Sequence, residues 1–409
     1  MDSSMVEVPE FFICPISLQI MKDPVTTISG ITYDRESIEY WLFKNHNTIC
    51  PVTKQPLPRD SDLTPNHTLR RLIQAWCTVN AAYGIDRIPT PKPPLSKFYV
   101  LNLVRDLWLP NLQLKTLQKL EGIAVENDRN KIYLVEAGIV KALTSFIVSC
   151  HRKRKTDGLE EALSLFYLIR GLLGQEKAAP LSENEEIMDS LTWVLGFDGV
   201  LDHVALKMHA AYALKEVTKK TNSSTLAKLK PEFFNKIVRV LREGSSQQGI
   251  NALLHVILNT CPRGRNRIMM IEAGAVFELI ELELRIPEKK TTELILGILY
   301  HLCSCADGRA QLLNHAAGIA VITRRILKVS NTADDRAILI IALTCKYSGT
   351  NGVLQEMLRV GTVVKLCMVL QADCASYLKD KAKGILRTHF DVWKDSPCID
   401  LPTLTRYTR

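Results

Sequence analysis

The first eighty residues contain no Cys-x-x-Cys pair. Cys14, Cys50, Cys77, His46 and His67 are the only side chains there suited to binding zinc. A cross-braced pair of tetrahedral zinc sites needs eight ligands, and a single site needs four at regular spacing. Neither can be assembled, so no metal is expected. Long apolar runs are also missing. The longest, Ile338 to Cys345, falls far short of the roughly 20 residues of a membrane-spanning helix. The opening residues, MDSSMVEVPEFF, are acidic and carry no apolar signal region. Neither membrane insertion nor secretion is expected. The eleven cysteines are odd in number and scattered. Cys261, Cys303, Cys345 and Cys367 lie inside apolar periodic segments, where a reduced thiol acts as a small hydrophobe. That usage fits a reducing compartment rather than a disulfide framework.

What is present is a chain able to build a sizeable core, 46% hydrophobic and 23% charged. At 409 residues it exceeds one ordinary domain. Its net charge of +9 is uneven: residues 1–80 hold seven basic and nine acidic side chains, so the remainder carries the excess. A solvated basic face accounts for this, and a net-basic array also suits an acidic partner. Aromatic residues are not seen interleaving with the basic ones, so nucleic acid is not an expected partner.

The stretch GIDRIPTPKPPLS (84–96) has four prolines, which rule out a continuous helix and mark a linker. Beyond it the chain repeats. NDRNKIYLVEAGIVKAL, GRNRIMMIEAGAVFELI, GRAQLLNHAAGIAVIT and TNGVLQEMLRVGTVVKL share one layout, a short helix stopped by glycine and then an amphipathic helix. Gly274 and Gly318 are 44 residues apart, Gly318 and Gly361 are 43, and Gly138 precedes Gly274 by three such periods. MHAAYALKEVT and GINALLHVIL keep a third-helix pattern in the middle units. A helical period near 45 belongs to the armadillo/HEAT range, in which units stack because none can bury its apolar face alone. Trp108, Trp193 and Trp393 do not recur at this period, which argues against a tryptophan ladder that reads basic peptides. The fold class is therefore mostly α: a small α+β module at 7–80, a proline-containing linker at 81–97, and an all-α array of six or seven repeats at 98–395. The basic run HRKRK (151–155) reads as an exposed, elongated inter-helix loop, with a nuclear-localisation signal as the alternative. The expected location is cytoplasmic, with nuclear entry if that alternative holds.

Within the first module, Val25–Tyr33 alternates like two short strands turned at Ser29-Gly30. Asp34 then stands where a helix N-cap belongs. Ile38, Trp41 and Leu42 share one face of the helix that follows. A second helix begins at Pro65-Asn66, with Leu69, Leu72, Ile73 and Trp76 on one face. Two Cys-Pro loops, CPISLQ at 14–19 and CPVTKQ at 50–55, connect these pieces. So small a fold usually needs a staple. Without metal, hydrogen bonds and ion pairs must supply it, with Asp23, Asp34, Arg35, Lys54 and Asn66 as candidates.

The blocks F-x-C-P-I-S-x-x-x-M-x-D-P-V, G-I-T-Y-D-R-x-S-I-x-x-W-L, C-P-V-T-K-x-x-L and L-T-P-N-H-T-L-R-R-L-I-x-x-W occur in order from Pro9 to Trp76. Together they resemble the U-box, a RING-like domain whose zincs are replaced by polar contacts. A U-box, a proline-containing linker and armadillo repeats together resemble the plant U-box/armadillo ubiquitin ligases. The wording R-I-P-T-P-K-P-P is similar to one small subgroup associated with damping immune and stress responses. The resemblance implies an E3 ubiquitin ligase that binds a ubiquitin-charged E2 enzyme. Ubiquitin would pass directly to lysines of substrates held in the armadillo groove, with no acylated cysteine and no cofactor. By motif position the E2 surface would be Ile16, Leu18, Trp41 and Pro51. Alternation leaves open that one of Ile16 and Leu18 is core, and Trp41 could be core as well. Lys54 falls where the family bridges E2 and ubiquitin, with an intramolecular ion pair as its alternative. A non-catalytic armadillo scaffold is the competing reading.

Overall fold

A computed structural model describes residues 7–45, 47–58, 61–86, 88, 95–174, 179–184, 186–197, 204–285 and 287–394. Arg87 and residues 89–94 of the linker, His46, and the end of the array beyond 394 lie outside the described residues. The chain divides into two compact units. One is Met1–Arg105 with Gly122–Ala137, and the other is Asp106–Glu121 with the chain from Gly138 onward.

The first unit holds three short strands, β1 (Pro24–Thr26), β2 (Thr32–Asp34) and β3 (Thr64–Pro65), in one antiparallel sheet of order β2-β1-β3. Val25 sits opposite both Tyr33 and Pro65. The β1–β2 turn closes as the Gly30 amide donates to the Thr27 carbonyl, with Gly30 at φ 79°, a left-handed conformation open to glycine at little cost. Helix α1 (Arg35–Glu39) widens into a π-helical turn at Tyr40–Lys44. Ile38 and Leu42, one turn apart, lie on the same fully buried side. Helix α2 (His67–Val79) is capped by Asn66, whose side-chain oxygen accepts the Leu69 amide. The core gathers Cys14, Val25, Tyr33, Ile38, Leu42 and Cys50.

Two expectations for this unit need correction. Asp34 occupies the N-cap position of α1 but makes no cap hydrogen bond. Its Oδ1 instead accepts the amides of Lys22 (2.7 Å) and Asp23 (2.9 Å), so the carboxylate braces the first loop. Leu72 is not on the buried face of α2 but 51% exposed. The contact centres on Ile73 and Cys77, one turn apart, and position 72 is rotated about 100° away from Ile73.

Three further helices follow: α3 (Lys97–Asp106), α4 (Gln113–Glu126) and α5 (Asp128–Glu136). In the second unit, α6 (Ile139–Lys153) and α7 (Leu159–Ile169) precede five complete three-helix repeats. These are α8–α10 (Ala179–Glu183, Ile187–Leu195, Val204–Lys220), α11–α13 (Ser223–Leu226, Pro231–Glu243, Gln247–Thr260) and α14–α16 (Gly264–Glu272, Ala275–Leu284, Lys289–Cys303). Then come α17–α19 (Ala306–Asn314, Gly318–Arg325, Asn331–Ser348) and α20–α22 (Asn351–Arg359, Thr362–Gln371, Ser376–Thr388), with α23 (Phe390–Trp393) last. The third helices α7, α10, α13, α16, α19 and α22 stack side by side in sequence order.

Recurring local chemistry explains why the chain breaks where it does. Asn222 and Thr350 cap first helices, while Ser246 and Ser330 cap third helices. Buried side chains on first helices tie down the end of the helix before them. Asn266 Nδ2 donates to the Thr260 carbonyl at 3.1 Å, and Arg309 Nη1 to the Cys303 carbonyl at 3.0 Å. Gly274 (φ 83°) and Gly361 (φ 81°) turn the chain between first and second helices. Gly318, the other marker in this region, does not adopt that conformation. It is the first residue of α18, and a Cβ there would come within 1.9 Å of the Leu312 carbonyl oxygen. The basic run is not an elongated loop either. His151–Lys153 complete α6, Arg154 ends it at φ 54°, and the Lys155 amide returns to the Cys150 carbonyl. Placing cations there is favourable, because the carbonyl end of a helix attracts positive charge.

Candidate functional site

The two Cys-Pro pairs open loops of the same design. The Cys14 amide donates to the Gln19 carbonyl (2.8 Å) and the Leu18 amide to the Cys14 carbonyl (2.9 Å). In the second loop Cys50 pairs with Gln55 (2.8 Å) and Lys54 with Cys50 (3.0 Å) in the same way. Isolated bridges, Ile13 with Ile20 and Ile49 with Pro56, close the base of each loop. Leu18 (φ 56°) and Lys54 (φ 60°) occupy matching positions in left-handed conformation. Two non-glycine residues in that region mean backbone strain held in place by the surrounding hydrogen bonds.

Both sulfurs point inward and are fully buried. Cys14 Sγ accepts the Asp34 amide at 3.3 Å. Cys50 Sγ meets the Ser29 hydroxyl (3.2 Å), the Tyr33 hydroxyl (3.1 Å) and the Thr53 amide (3.4 Å). Burial raises the Cys50 pKa, but the donors from Ser29, Thr53 and Tyr33 outweigh it and bring the thiol down to about 6. The same balance, burial against backbone amides of Ser17, Asp34 and Ile16, lowers Cys14. Tyr33 moves the other way, raised by burial and by the sulfur beside it. Among the described residues no three His, Cys, Asp or Glu side chains converge as a metal-ligand set. Polar donors surround each sulfur instead.

The remaining bracing is ionic. Arg35 Nε lies 2.5 Å from Asp23 Oδ2, and the Arg35 amide donates to the Asp23 carbonyl. Arg70 reaches the other Asp23 oxygen at 3.7 Å. Glu39 faces Arg35 at 3.8 Å and Arg129, from the 122–137 segment of the same unit, at 3.4 Å. Burial raises the Glu39 pKa against the pull of these two arginines. Burial likewise raises Asp34, opposed by the amides of Asp23 and Lys22. Asn66 fixes α2 to the sheet, since its amide donates to the Pro24 carbonyl at 2.8 Å.

Toward solvent the loops are apolar. Leu18 is 75% exposed, and Ile16 is half-buried against the core. Pro51 and Trp41 are half-buried, and the Trp41 indole donates to the Ile49 carbonyl at 2.9 Å, tying the π-helical turn to the second loop. The Lys54 ammonium folds back onto the Pro51 carbonyl (2.8 Å) and, among the described residues, pairs with no carboxylate. Two exposed residues beside these, Val52 and Ile49, were not anticipated. The internal match of CPISLQ to CPVTKQ, which makes Val52 the counterpart of Ile16, is the signal that would have found Val52.

Two matched loops with buried, hydrogen-bonded sulfurs, set on a small sheet and followed by three-helix repeats, define the class of U-box ubiquitin ligases with armadillo repeats. The family model described as U-box domain matches residues 8–82, and that of the plant U-box protein ARM repeat region matches 102–409. The chain belongs to the plant U-box/armadillo-repeat E3 ubiquitin ligases. Among its relatives in Arabidopsis thaliana, the E3 ubiquitin-protein ligase PUB24 is 44% identical over 98% of this chain and 96% of its own length. PUB23 is 42% identical, covering 98% and 97%, and PUB22 is 38% identical, covering 96% and 97%.

Proposed function

We propose that Ile16, Leu18, Trp41 and Pro51, together with Val52, receive a ubiquitin-charged E2 enzyme and that ubiquitin passes directly from it to a substrate lysine. The observation that carries this reading is Leu18, a large apolar side chain three-quarters exposed on a strained loop tip. An exposed apolar residue held at an energetic cost is otherwise a liability. The protein contributes position rather than a nucleophile. Cys14 and Cys50 face the core and are occupied as acceptors, so neither serves as an acyl carrier. Lys54 bridges E2 and ubiquitin as a single compact charge, swinging away from the Pro51 carbonyl. The functional division is 7–80 for E2 recruitment, 81–97 as linker and 98–395 for substrate. The linker wording supports a role in restraining defence and stress signalling, in the cytoplasm or, through the 151–155 cations, in the nucleus.

Reconstitution with E1, a panel of E2 enzymes, ubiquitin and ATP tests the proposal. Ubiquitin chains should form on the protein itself and fall about tenfold or more in Ile16→Ala and Leu18→Ala, the loss typical of a central interface anchor. Chains that form undiminished in both variants would refute the assigned surface, and the absence of product with every E2 would favour a scaffold.

A further inference from the structure

Armadillo arrays that read basic peptides do so through aromatic residues recurring on the third helices, and tryptophan does not recur here. Trp393 is buried and Trp108 lies on no third helix. Smaller rings take that place. Tyr167, Tyr212, His255 and Tyr300 are spaced by 45, 43 and 45 residues and lie on α7, α10, α13 and α16 in turn. All four are half-buried, and the first two touch across the helices, with the Tyr167 and Tyr212 rings 4.9 Å apart. The Tyr167 hydroxyl reaches Gln248 Oε1 on α13 at 3.3 Å, past the intervening α10, so side chains of three successive third helices share this face.

Cations accompany the rings. The Arg170 guanidinium covers the Tyr167 ring at 3.6 Å and lies 5.3 Å from Tyr212, while Lys215 lies 5.9 Å from Tyr212. Such contacts hold a cation in place without neutralising it. Among the described residues, Arg170, Lys215, Lys219 and Lys290 form no ion pair. Their mutual repulsion is visible in their neighbours. Burial, reinforced by Lys215, Lys290 and Lys219, takes His255 down to about 4. Burial also lowers Lys215, with adjacent Glu216 opposing and Lys290, Lys219 and Arg170 adding to the shift. An excess of positive charge on one face costs stability and favours a complementary partner.

Resting on the reading that the repeats hold substrate, we propose that the face formed by α7, α10, α13 and α16 binds an extended Asp/Glu-rich segment of a partner protein. Arg170, Lys215 and Lys290 would each meet a carboxylate spaced along that segment. The cations are distributed over separate helices rather than converging in one pocket, which suits a run of single charges. An extended chain advances about 3.4 Å per residue, so roughly every third side chain meets the next helix. The rings do interleave with cations, contrary to the sequence-based expectation, and that raises single-stranded nucleic acid as a rival. Bases need open ring faces to stack on. Here Arg170 caps Tyr167, and Tyr167 and Tyr212 pack edge-on.

The test uses the full-length protein and fluorescence anisotropy with labelled octaglutamate, octaglutamine, octalysine and oligouridylate. Octaglutamate should bind, weaken as salt rises, and lose about tenfold in affinity in Lys215→Gln and in Arg170→Gln. Lys215→Glu should weaken it further and gain affinity for octalysine. Equal binding of octaglutamine, octaglutamate binding unchanged in both Gln variants, or tighter binding of oligouridylate would overturn the proposal. Circular dichroism melts of each variant confirm folding, and self-ubiquitination in the same samples separates the two readings. A native protein that forms chains but binds no octaglutamate condemns only the acidic-segment proposal, whereas one that binds octaglutamate but forms no chains condemns only the ligase mechanism.

Discussion

At the scale of single residues, the site depends on side chains held where the backbone does not favour them. Leu18 in left-handed conformation costs roughly 1–2 kcal/mol relative to glycine. Glycine would relieve that strain but add freedom to the unfolded chain, and the two effects nearly offset each other. Leu18→Gly should therefore leave the melting temperature within a few degrees while E2-dependent chain formation falls about tenfold or more. Calorimetry alongside the reconstituted assay measures both, and a large destabilisation would show that Leu18 serves the fold. Cys50 makes a second prediction. Its folded pKa of about 6 lies below the ordinary thiol value of 9.0, so the folded state favours the thiolate. The stability this contributes is fully present above the ordinary value and is lost as pH falls through the folded one. The difference in melting temperature between the native protein and Cys50→Ala should thus grow from pH 6 to pH 9. Removing one donor in Tyr33→Phe should flatten that slope. A difference independent of pH would mean the sulfur stays protonated and acts only by packing.

At the scale of elements, the sequence made the apolar stripes legible but not the hydrogen bonds that settle their details. Periodicity locates α1 and α2, yet it could not distinguish the π-helical turn at Tyr40–Lys44 from continued α-helix, because Ile38 and Leu42 are apolar in both registers. The stripe of α2 is wide enough to include Leu72, and packing places its edge short of that residue. The repeat glycines were visible as markers without revealing that they act differently. Gly274 needs its positive φ, and a Cβ there would find open space apart from an Arg242 nitrogen at 4.0 Å. Gly318 has ordinary helical geometry but abuts the Leu312 carbonyl oxygen, the end of the preceding helix. Gly274→Ala should cost about 1–2 kcal/mol, the penalty of left-handed alanine. Gly318→Ala must separate α17 from α18 and should cost more, approaching about 3 kcal/mol, as overpacking does. Urea unfolding of the two variants gives the ranking, and the reverse order would show that the α17–α18 junction yields easily.

At the scale of the whole molecule, the division into a braced module and a repeat array could be read from the chain because each part has its own arithmetic. Too few ligands argue against zinc, and a period near 45 calls for stacked helices. The aromatic positions of the third helices were hidden because tyrosine and histidine, rather than tryptophan, carry them. The partners of each buried polar group were hidden as well, since contacts such as Arg70 with Asp23 join residues far apart in sequence. One consequence of the bracing concerns how the molecule responds to chemistry that dismantles related folds. A zinc-stapled domain unfolds when a chelator removes its metal, because metal binding is part of its folding free energy. Here Asp23 and Arg35, each with only 17% of its side chain exposed, join loop to helix. A strong chelator should therefore leave the melting temperature unchanged. Arg35→Ala, which leaves Asp23 with only the longer Arg70 contact, should cost about 2 kcal/mol, in the range for losing a charge-assisted hydrogen bond. Differential scanning calorimetry with and without chelator, combined with elemental analysis, tests the pair of statements. Stoichiometric zinc, or unfolding on its removal, would transfer the bracing role from these side chains to a metal.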